Sequence, residues 1–315
     1  MTGPAYPEHQ HTAGPPAVCF RHPDRPTGLA CSRCGRPACP ECLRPASVGQ
    51  HCVECLGNDG VQRSVVQPTF GDRGIRPMVA KPLVGSRPYA TYSLIAVNVV
   101  VFVICMLQAG GSQMLNSPLF VDWALFKPWV ADGEYWRLLT AGFLHFSVTH
   151  IAVNMISLYI LGRDLELAVG IPRYLAIYVT SLLGGSAAVM LLGSNNAVNA
   201  GASGAIYGLM GAVLIVVLKA KASPVPVITI IVLNIVMSVT IPGISLLAHL
   251  GGLIFGAAAT AGIIFVPQWI LSPERRTAAA ASRIGWIAVA VLFILALAIG
   301  VGVGLTGGGF QSVLN

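Results

Sequence analysis

The sequence has little charge, and that charge is unevenly placed. Only 10% of its 315 residues are charged and 55% are hydrophobic, whereas a soluble protein carries about 25% charged residues. Before residue 90 lie 10 of the 19 Lys and Arg and 6 of the 12 Asp and Glu. Long apolar runs with uncharged interiors follow. This pattern argues against a soluble protein and predicts an all-α polytopic membrane protein behind a polar, Pro-rich N-terminal part.

The first residues lack the apolar segment of a secretory signal peptide. Residues 1–17 are polar and Pro-rich, so we expect them to be disordered and the N-terminal part to stay where it is made. The net charge of +7 suggests nucleic-acid binding at first sight. Basic loops beside apolar spans are better explained by orientation in a bilayer, so we expect no nucleic-acid partner.

Cysteine is nearly absent from the apolar part. Cys105 is alone there and is expected to act as a small apolar residue, whereas seven of the eight cysteines lie between residues 19 and 55. In a reducing compartment, paired cysteines indicate metal binding rather than disulfides. The candidate ligands form four pairs: Cys19 and His22, Cys31 and Cys34, Cys39 and Cys42, and Cys52 and Cys55. This spacing predicts two structural Zn²⁺ ions in residues 18–56, which need metal to fold; His51 is an alternative ligand in the last pair.

Residues 57–90 form a predicted linker in which five basic residues outnumber two acidic ones. Such a stretch suits anionic lipid headgroups, and an ordinary solvated linker explains it equally well. Seven apolar runs follow, and most of them are long enough to cross a bilayer. The predicted spans lie near residues 91–109, 144–162, 173–192, 202–218, 225–240, 245–266 and 284–305. The fifth of them is the shortest.

The loops between these spans alternate in charge. Loops on one side carry Arg or Lys. On the other side, loops 193–201 and 240–244 and the tail after residue 305 carry no charge, and the first loop, 110–143, holds two basic residues against three acidic ones. The positive-inside rule then predicts a multi-pass protein of the cell membrane with its N-terminus in the cytoplasm and its C-terminus outside.

The interiors of the predicted spans contain no Asp, Glu, Lys or Arg, and the ionisable groups at membrane depth are three histidines: His145, His150 and His249. An ionisable residue at membrane depth indicates a functional site, and a packing role is about as probable for one histidine alone. A rise of 1.5 Å per residue from the inner boundary places His150, His249 and Ser203 in the outer third of the bilayer. His150 and Asn154, at i and i+4, can face one point.

Ser203 and His249 lie at matching depths on two helices that carry small-residue faces. The glycines that form these faces are Gly204 and Gly208 in one helix and Gly252 and Gly256 in the other. Such faces let backbones approach closely in lipid, and by themselves they often mean only packing. A serine hydroxyl becomes a nucleophile when a neutral imidazole takes its proton. Because the spans hold no nearby Asp or Glu, the sequence permits a Ser–His dyad rather than a triad.

The motifs around these residues resemble those of the rhomboid proteases. Five of them occur in order between about residue 90 and residue 266: Glu134-x-Trp136-Arg137-x-x-Thr140, His145-x-x-x-x-His150-x-x-x-Asn154, Leu161-Gly162-x-x-Leu165-Glu166, Gly201-x-Ser203-Gly204 and Ala248-His249-x-x-Gly252-x-x-x-Gly256. The resemblance implies a six-helix protease core over 91–266. Residues 267–315 would add a cytoplasmic loop, a seventh span with a packing role, and an outer tail.

The resemblance also implies an activity, that of an intramembrane serine endopeptidase that cuts transmembrane protein substrates in the lipid bilayer without a catalytic cofactor. Ser203 would be the nucleophile and His249 the general base. His150, Asn154 and the Ser203 backbone N–H would form the oxyanion hole, and Tyr207 would stack on His249. The fifth span would act as a gate for the substrate helix.

Two other functions fit parts of the sequence. A rhomboid-like pseudoenzyme would bind transmembrane helices without cleavage, but such relatives typically lack the serine or the histidine. A transporter would need buried charges or an inverted repeat, and neither is visible. The N-terminal segment resembles a B-box-type zinc finger, which implies cross-braced ligands, with pairs one and three on one zinc and pairs two and four on the other. That module would have a protein partner or a regulatory role.

Overall fold

The computed structural model describes residues 17–45, 49–57 and 87–306. Residues 1–16 of the segment 1–17, for which disorder is expected, lie outside the described residues, and so does most of the predicted linker. The chain divides into two compact units, Met1–Arg76 and Pro77–Asn315. Each unit has its own buried core.

The described residues of the N-terminal unit form little regular structure. The unit contains a 3₁₀ turn at Pro40–Cys42 and the elements β1 (Leu43–Pro45), β2 (Gln50–Cys52) and α1 (Val53–Gly57), with β1 and β2 antiparallel. Its buried core, among the residues described, is Ala38, Leu43 and five cysteines: Cys19, Cys31, Cys39, Cys42 and Cys52. So few apolar side chains stabilise a fold poorly, and the unit needs another source of folding energy.

The second unit is built of long apolar helices with short elements between them. Its helices and strands are, in chain order, α2 (Tyr89–Ala109), α3 (Pro118–Trp123), β3 (Leu125–Phe126), α4 (Lys127–Ala131), α5 (Arg137–Thr140), α6 (Val148–Val169), α7 (Ile171–Leu192), β4 (Val198–Asn199), α8 (Ser203–Lys219), α9 (Val225–Thr240), α10 (Leu246–Ile264), α11 (Val266–Ile270) and α12 (Ala278–Thr306). Each predicted apolar run corresponds to one long helix. The prediction of an all-α polytopic membrane fold is therefore confirmed.

The long helices differ in their ability to span a bilayer. Within the described part of the chain, four helices have the length and hydropathy of a membrane span: α2, α7, α10 and α12. The helix α6 has that length and hydropathy only when it is taken together with the segment Arg137–Phe143, and the two are bent by 93° relative to each other. The helices α8 and α9 have 17 and 16 residues. They are about 24–26 Å long, shorter than a hydrocarbon core of about 30 Å.

The start of α6 differs from the prediction. The helix begins at Val148 rather than near residue 144, because the Ser147 side chain accepts a hydrogen bond from the His150 backbone N–H and caps it. His145 therefore lies in the break between the segment Arg137–Phe143 and α6, and not within the helix.

The segment 110–143, read from the sequence as a loop, is structured. It contains α3, α4, α5 and the strand β3, which pairs antiparallel with β4. Arg137 is buried beneath it, where it pairs with Glu134 and donates to the carbonyls of Val121 and Ala124. These bonds hold the parts of the segment together, and the pairing of β3 with β4 joins the segment to the chain just before α8.

Glycines decide how closely α8 and α10 approach. A side chain at Gly252 would clash with the carbonyl oxygen of Gly204, and one at Gly256 would clash with that of Gly208. The two backbones can touch because these positions have no side chain. This packing brings the N-terminal ends of both helices together.

Candidate active site and candidate metal sites

Ser203 and His249 meet where α8 and α10 begin. Ser203 is the first residue of α8, and His249 lies in the first turn of α10, which Ser245 caps. The Ser203 Oγ atom is 2.7 Å from His249 Nε2, and the His249 side chain is buried. In this geometry the imidazole can take the hydroxyl proton.

Gly201 shapes the turn that leads into α8. Its φ is +140°, a conformation that glycine adopts without strain, and its N–H donates to the Ala141 carbonyl at 2.9 Å. A side chain here would press on the His150 ring at 3.0 Å. Glycine therefore lets the turn pass beside His150 and present Ser203.

Two residues hold the His249 ring from different helices. The Tyr207 ring stacks on it, with the centroids 3.9 Å apart and the planes 14° apart. From α9, the Ser238 Oγ lies 2.7 Å from His249 Nδ1. Ser238 is not among the residues that the sequence predicted. The sequence signal for Ser238 is weak, because it consists only of a hydroxyl at span depth. A serine in an apolar helix usually bonds to a backbone carbonyl of its own helix, as Ser238 does with that of Asn234.

His150 and Asn154 face the same space from α6. The His150 Nδ1 atom accepts a hydrogen bond from the Phe146 backbone N–H at 3.4 Å, so the neutral ring carries its proton on Nε2. The Asn154 Nδ2 group is buried, and no hydrogen-bond partner for it lies among the described residues. Both residues therefore offer a donor that the fold does not use.

A cavity of about 630 Å³ connects these groups. The predicted site residues that line it are Ser203, His249, His150, Asn154 and Tyr207, and Ser238 lines it as well. His145 is buried and its ring centroid lies 5.0 Å from that of His150, but it does not line the cavity. The fold thus brings the five predicted membrane-site residues into one cavity.

The cysteine pairs of the N-terminal unit form two groups. In each group the donor atoms lie within 4.8 Å of one another; the groups are Cys19, His22, Cys39 and Cys42, and Cys31, Cys34, Cys52 and Cys55. This is the cross-braced grouping, first pair with third and second pair with fourth. His51 belongs to neither group in the described part of the unit.

The separations between donor atoms fit tetrahedral zinc. From His22 Nδ1 to the Sγ atoms of Cys19, Cys39 and Cys42 the distances are 3.8, 3.4 and 3.5 Å, and tetrahedral zinc bonds imply roughly 3.6 Å. In the second group, two Sγ pairs, Cys31 with Cys55 and Cys34 with Cys52, are each 3.9 Å apart, where tetrahedral Zn–S bonds imply roughly 3.8 Å.

Two sulfurs in each group have a lowered thiol pKa: Cys19 and Cys39 in the first group, and Cys31 and Cys34 in the second. Burial opposes ionisation of the Cys19 and Cys31 thiols, but hydrogen bonds from backbone groups outweigh burial and lower the pKa of each to about 6. The thiolate is the form of cysteine that binds metal. The chemistry of these groups therefore agrees with their geometry.

Comparison with known proteins agrees with the membrane site. Residues 132–268, which include every residue of that site, match the family model of the Rhomboid domain. "Rhomboid protease GluP" of Bacillus subtilis is 33% identical over 182 residues, which cover 56% of this chain and 35% of the relative. "RHOMBOID-like protein 5" of Arabidopsis thaliana is 37% identical over 154 residues, 46% of this chain and 50% of the relative.

"Rhomboid protease AarA" of Providencia stuartii is 29% identical over 207 residues, 56% of this chain and 73% of the relative. The chain spans half or less of the length of the first two relatives. In all three the similarity covers about half of this chain. The resemblance seen in the motifs is confirmed: the chain carries a Rhomboid domain over residues 132–268 and is similar to curated rhomboid proteases.

Proposed function

We propose that this protein is an intramembrane serine protease that hydrolyses peptide bonds in or near transmembrane segments of membrane-protein substrates. The observation that carries the proposal is the 2.7 Å contact between Ser203 Oγ and His249 Nε2 in a cavity within apolar helices. A packing role for the two residues would leave the free donor on Asn154 without a use.

Ser203 and His249 would carry out the reaction in two stages. His249 Nε2 takes the Ser203 proton while Oγ bonds to the substrate carbonyl carbon. The same proton then goes to the leaving amine, the peptide C–N bond breaks, and an acyl-enzyme remains. Water, activated by His249 in the same way, hydrolyses this ester and restores the serine.

Three hydrogen-bond donors would stabilise the negative charge that develops on the substrate carbonyl oxygen. They are the Asn154 Nδ2 group, the His150 Nε2–H and the backbone N–H of Ser203. As the first residue of α8, Ser203 has no helical partner for that N–H. Donors that are already oriented stabilise the transition state more than water does.

The helix α9 is the best candidate for the substrate gate. Only two of its residues, Ile231 and Ser238, are buried in the described structure, so little apolar contact holds it to the other helices. Moving α9 sideways would open the cavity to a helix arriving from lipid. The polar side chains that line the cavity, among them His150 and Asn154, would hold water near the dyad.

The length of α8 supports a buried site. Its 17 residues reach about 26 Å from Lys219, which leaves Ser203 below the far surface of a core about 30 Å thick. The basic residue Lys219 ends α8, and Lys221 and Arg275 lie in the segments after α8 and α11. We assign the side of these residues and the N-terminus to the cytoplasm of a cell-membrane protein.

The two cysteine groups would each hold a structural Zn²⁺ ion. With all four donors of each group used, no position is left open for water, so zinc would supply folding energy rather than catalysis. A unit held in this way could present a surface to a protein partner.

The activity can be tested with the full chain in liposomes. A single-span substrate with small or helix-breaking residues near the outer boundary should be cut into two fragments. Mass spectrometry should place the new termini in or near the transmembrane segment. Binding of the substrate without fragments would identify a pseudoenzyme and contradict the proposal.

Replacing Asn154 by alanine should slow cleavage without abolishing it. Losing one oxyanion donor costs roughly 10²–10³-fold in kcat, while His150 and the Ser203 N–H remain. Initial rates of substrate cleavage would measure the loss. The exposed Asn116→Ala, in the segment 110–143, is a matched control that should keep the full rate. A loss as complete as that of Ser203→Ala would contradict a shared role.

Cleavage should decrease as the pH falls. Protonated His249 cannot accept the Ser203 proton, so activity should be full at high pH and lost along a single acidic limb; the unperturbed pKa of histidine is about 6.5. The kcat/KM of the liposome assay, measured across this range, would show the limb. Return to neutral pH should restore activity, which separates titration from unfolding. Activity that rises toward acid would contradict a histidine base.

A further inference from the structure

Ser238 connects the loosely packed helix α9 to the dyad. Its Oγ atom lies 2.7 Å from His249 Nδ1, 2.8 Å from the Tyr207 hydroxyl and 2.7 Å from the Asn234 carbonyl oxygen. The side chain is 5% exposed, so water competes little for these bonds. Three polar groups meet at one buried hydroxyl, and the supply of protons and lone pairs decides how they are arranged.

Only one assignment of donors and acceptors satisfies all three hydrogen bonds at the Ser238 hydroxyl. A hydroxyl has one hydrogen and two acceptor lone pairs. The Asn234 carbonyl can only accept, so the Ser238 hydrogen lies between those two oxygens. The two lone pairs then accept from the Tyr207 O–H and the His249 Nδ1–H. If Ser238 donated to Nδ1 instead, two oxygens would face each other at 2.7 Å with no hydrogen between them.

This arrangement selects the tautomer of His249. With the proton of the neutral ring on Nδ1, the Nε2 lone pair points at Ser203 and can take its proton. The other tautomer places a hydrogen on Nε2 and cannot act as the base. In Ser-His-Asp proteases, the aspartate performs this task.

Because Ser238 lies on α9, its hydrogen bond to His249 also links α9 to the dyad. Thr229, Asn234 and Thr240, the other polar side chains of this helix, each bond to a backbone carbonyl of α9 itself. Among the described residues, Ser238 alone therefore makes side-chain hydrogen bonds from α9 to another helix. A sideways movement of α9 would separate it from Nδ1.

We propose that Ser238 is a positioning residue that holds His249 in the productive tautomer and thereby couples the place of α9 to the activation of Ser203. The inference rests on the proposed protease function. When α9 is displaced to admit a substrate helix, His249 loses the hydrogen bond that keeps its proton on Nδ1, and the dyad is not prepared for proton transfer. When α9 returns, Ser238 accepts from Nδ1–H again and the productive tautomer is restored.

The test compares Ser238→Ala with Ser238→Thr in the full chain. Cleavage of the single-span substrate gives kcat and KM, and a small fluorophosphonate, which needs no helix to enter, reports the reactivity of Ser203. Ser238→Ala should lower kcat and the labelling rate about 10²-fold, less than the roughly 10⁴-fold loss when a triad aspartate is replaced, because a hydroxyl carries no charge. KM should change less than kcat. Ser238→Thr keeps the hydroxyl and should restore most of the rate.

Thr240→Ala is the matched control. It removes a hydroxyl from the same helix, bonded in the same way to a carbonyl four residues earlier, but exposed to the surroundings and outside the cavity. Its rate of substrate cleavage and its rate of fluorophosphonate labelling should both equal those of the wild type. Thermal unfolding of each variant in detergent would show that the helices remain folded.

Nitrogen NMR of histidine-labelled protein gives a readout that does not depend on activity. The His249 ring, assigned by comparison with His249→Ala, should show Nδ1–H in the wild type and a larger Nε2–H fraction in Ser238→Ala. An unchanged tautomer, or wild-type labelling of Ser203 in Ser238→Ala, would overturn the inference, and so would a change confined to KM. Failure of the wild type to cleave, or cleavage by Ser203→Ala, would instead overturn the protease function.

Discussion

Replacing Ser203 by alanine should abolish cleavage of a single-span substrate by the full chain, and replacing His249 by alanine should do the same. Each change removes one end of the 2.7 Å contact in which the proton moves. Losses on the order of 10⁵–10⁶-fold in kcat are expected for such changes, and the double variant should lose little more, because nucleophile and base act as one unit. Initial rates in liposomes with equal amounts of each variant would measure this.

Matched controls separate the chemistry from folding. Ser112→Ala removes an exposed hydroxyl from the segment 110–143, and His51→Ala removes an imidazole from the N-terminal unit; both should cleave at the wild-type rate. Fluorophosphonate should label the wild type and not Ser203→Ala. Cleavage retained by a folded Ser203→Ala variant would overturn the serine mechanism.

Removal of metal should unfold the N-terminal unit while leaving the membrane helices folded. The unit has a core made mainly of cysteines, and zinc contributes about 10–16 kcal/mol to the folding of zinc-finger peptides near neutral pH. Elemental analysis of the purified full chain should give two zinc ions per molecule. Hydrogen exchange after chelation should show loss of protection in residues 17–57 and retention in the long helices.

Single substitutions should remove the two ions separately. Cys39→Ser should eliminate the site shared with Cys19 and His22, and Cys34→Ser should eliminate the other, so each variant should retain one zinc ion. Cys105→Ala, in α2 and outside both groups, should retain two. One zinc ion in the wild type, or two in Cys39→Ser, would contradict the cross-braced arrangement.

Local patterns determined much of this protein. In lipid a backbone must satisfy its hydrogen bonds within its own segment, so each long apolar run could be predicted as a helix before any contact was known. The glycines beside Ser203 and His249 likewise mark where two helices can touch. The spacing within each cysteine pair is short enough to be read directly as a pair of ligands. Four residues of the membrane cavity, His150, Asn154, Ser203 and His249, could be named because they stand in motifs at fixed intervals, and Tyr207 follows Ser203 by one helical turn.

Tertiary structure decided what depends on distant partners. The segment 110–143 is folded because buried Arg137 finds carbonyls of the same segment, and the pairing of β3 with β4 joins residues more than 70 positions apart. The role of Ser238 could not be predicted from the sequence, because the hydroxyl of a serine in an apolar helix can donate its hydrogen bond to the backbone carbonyl one turn earlier. Only the packing of α9 against α8 and α10 brings its remaining lone pairs to Tyr207 and His249, and with them the tautomer of the base.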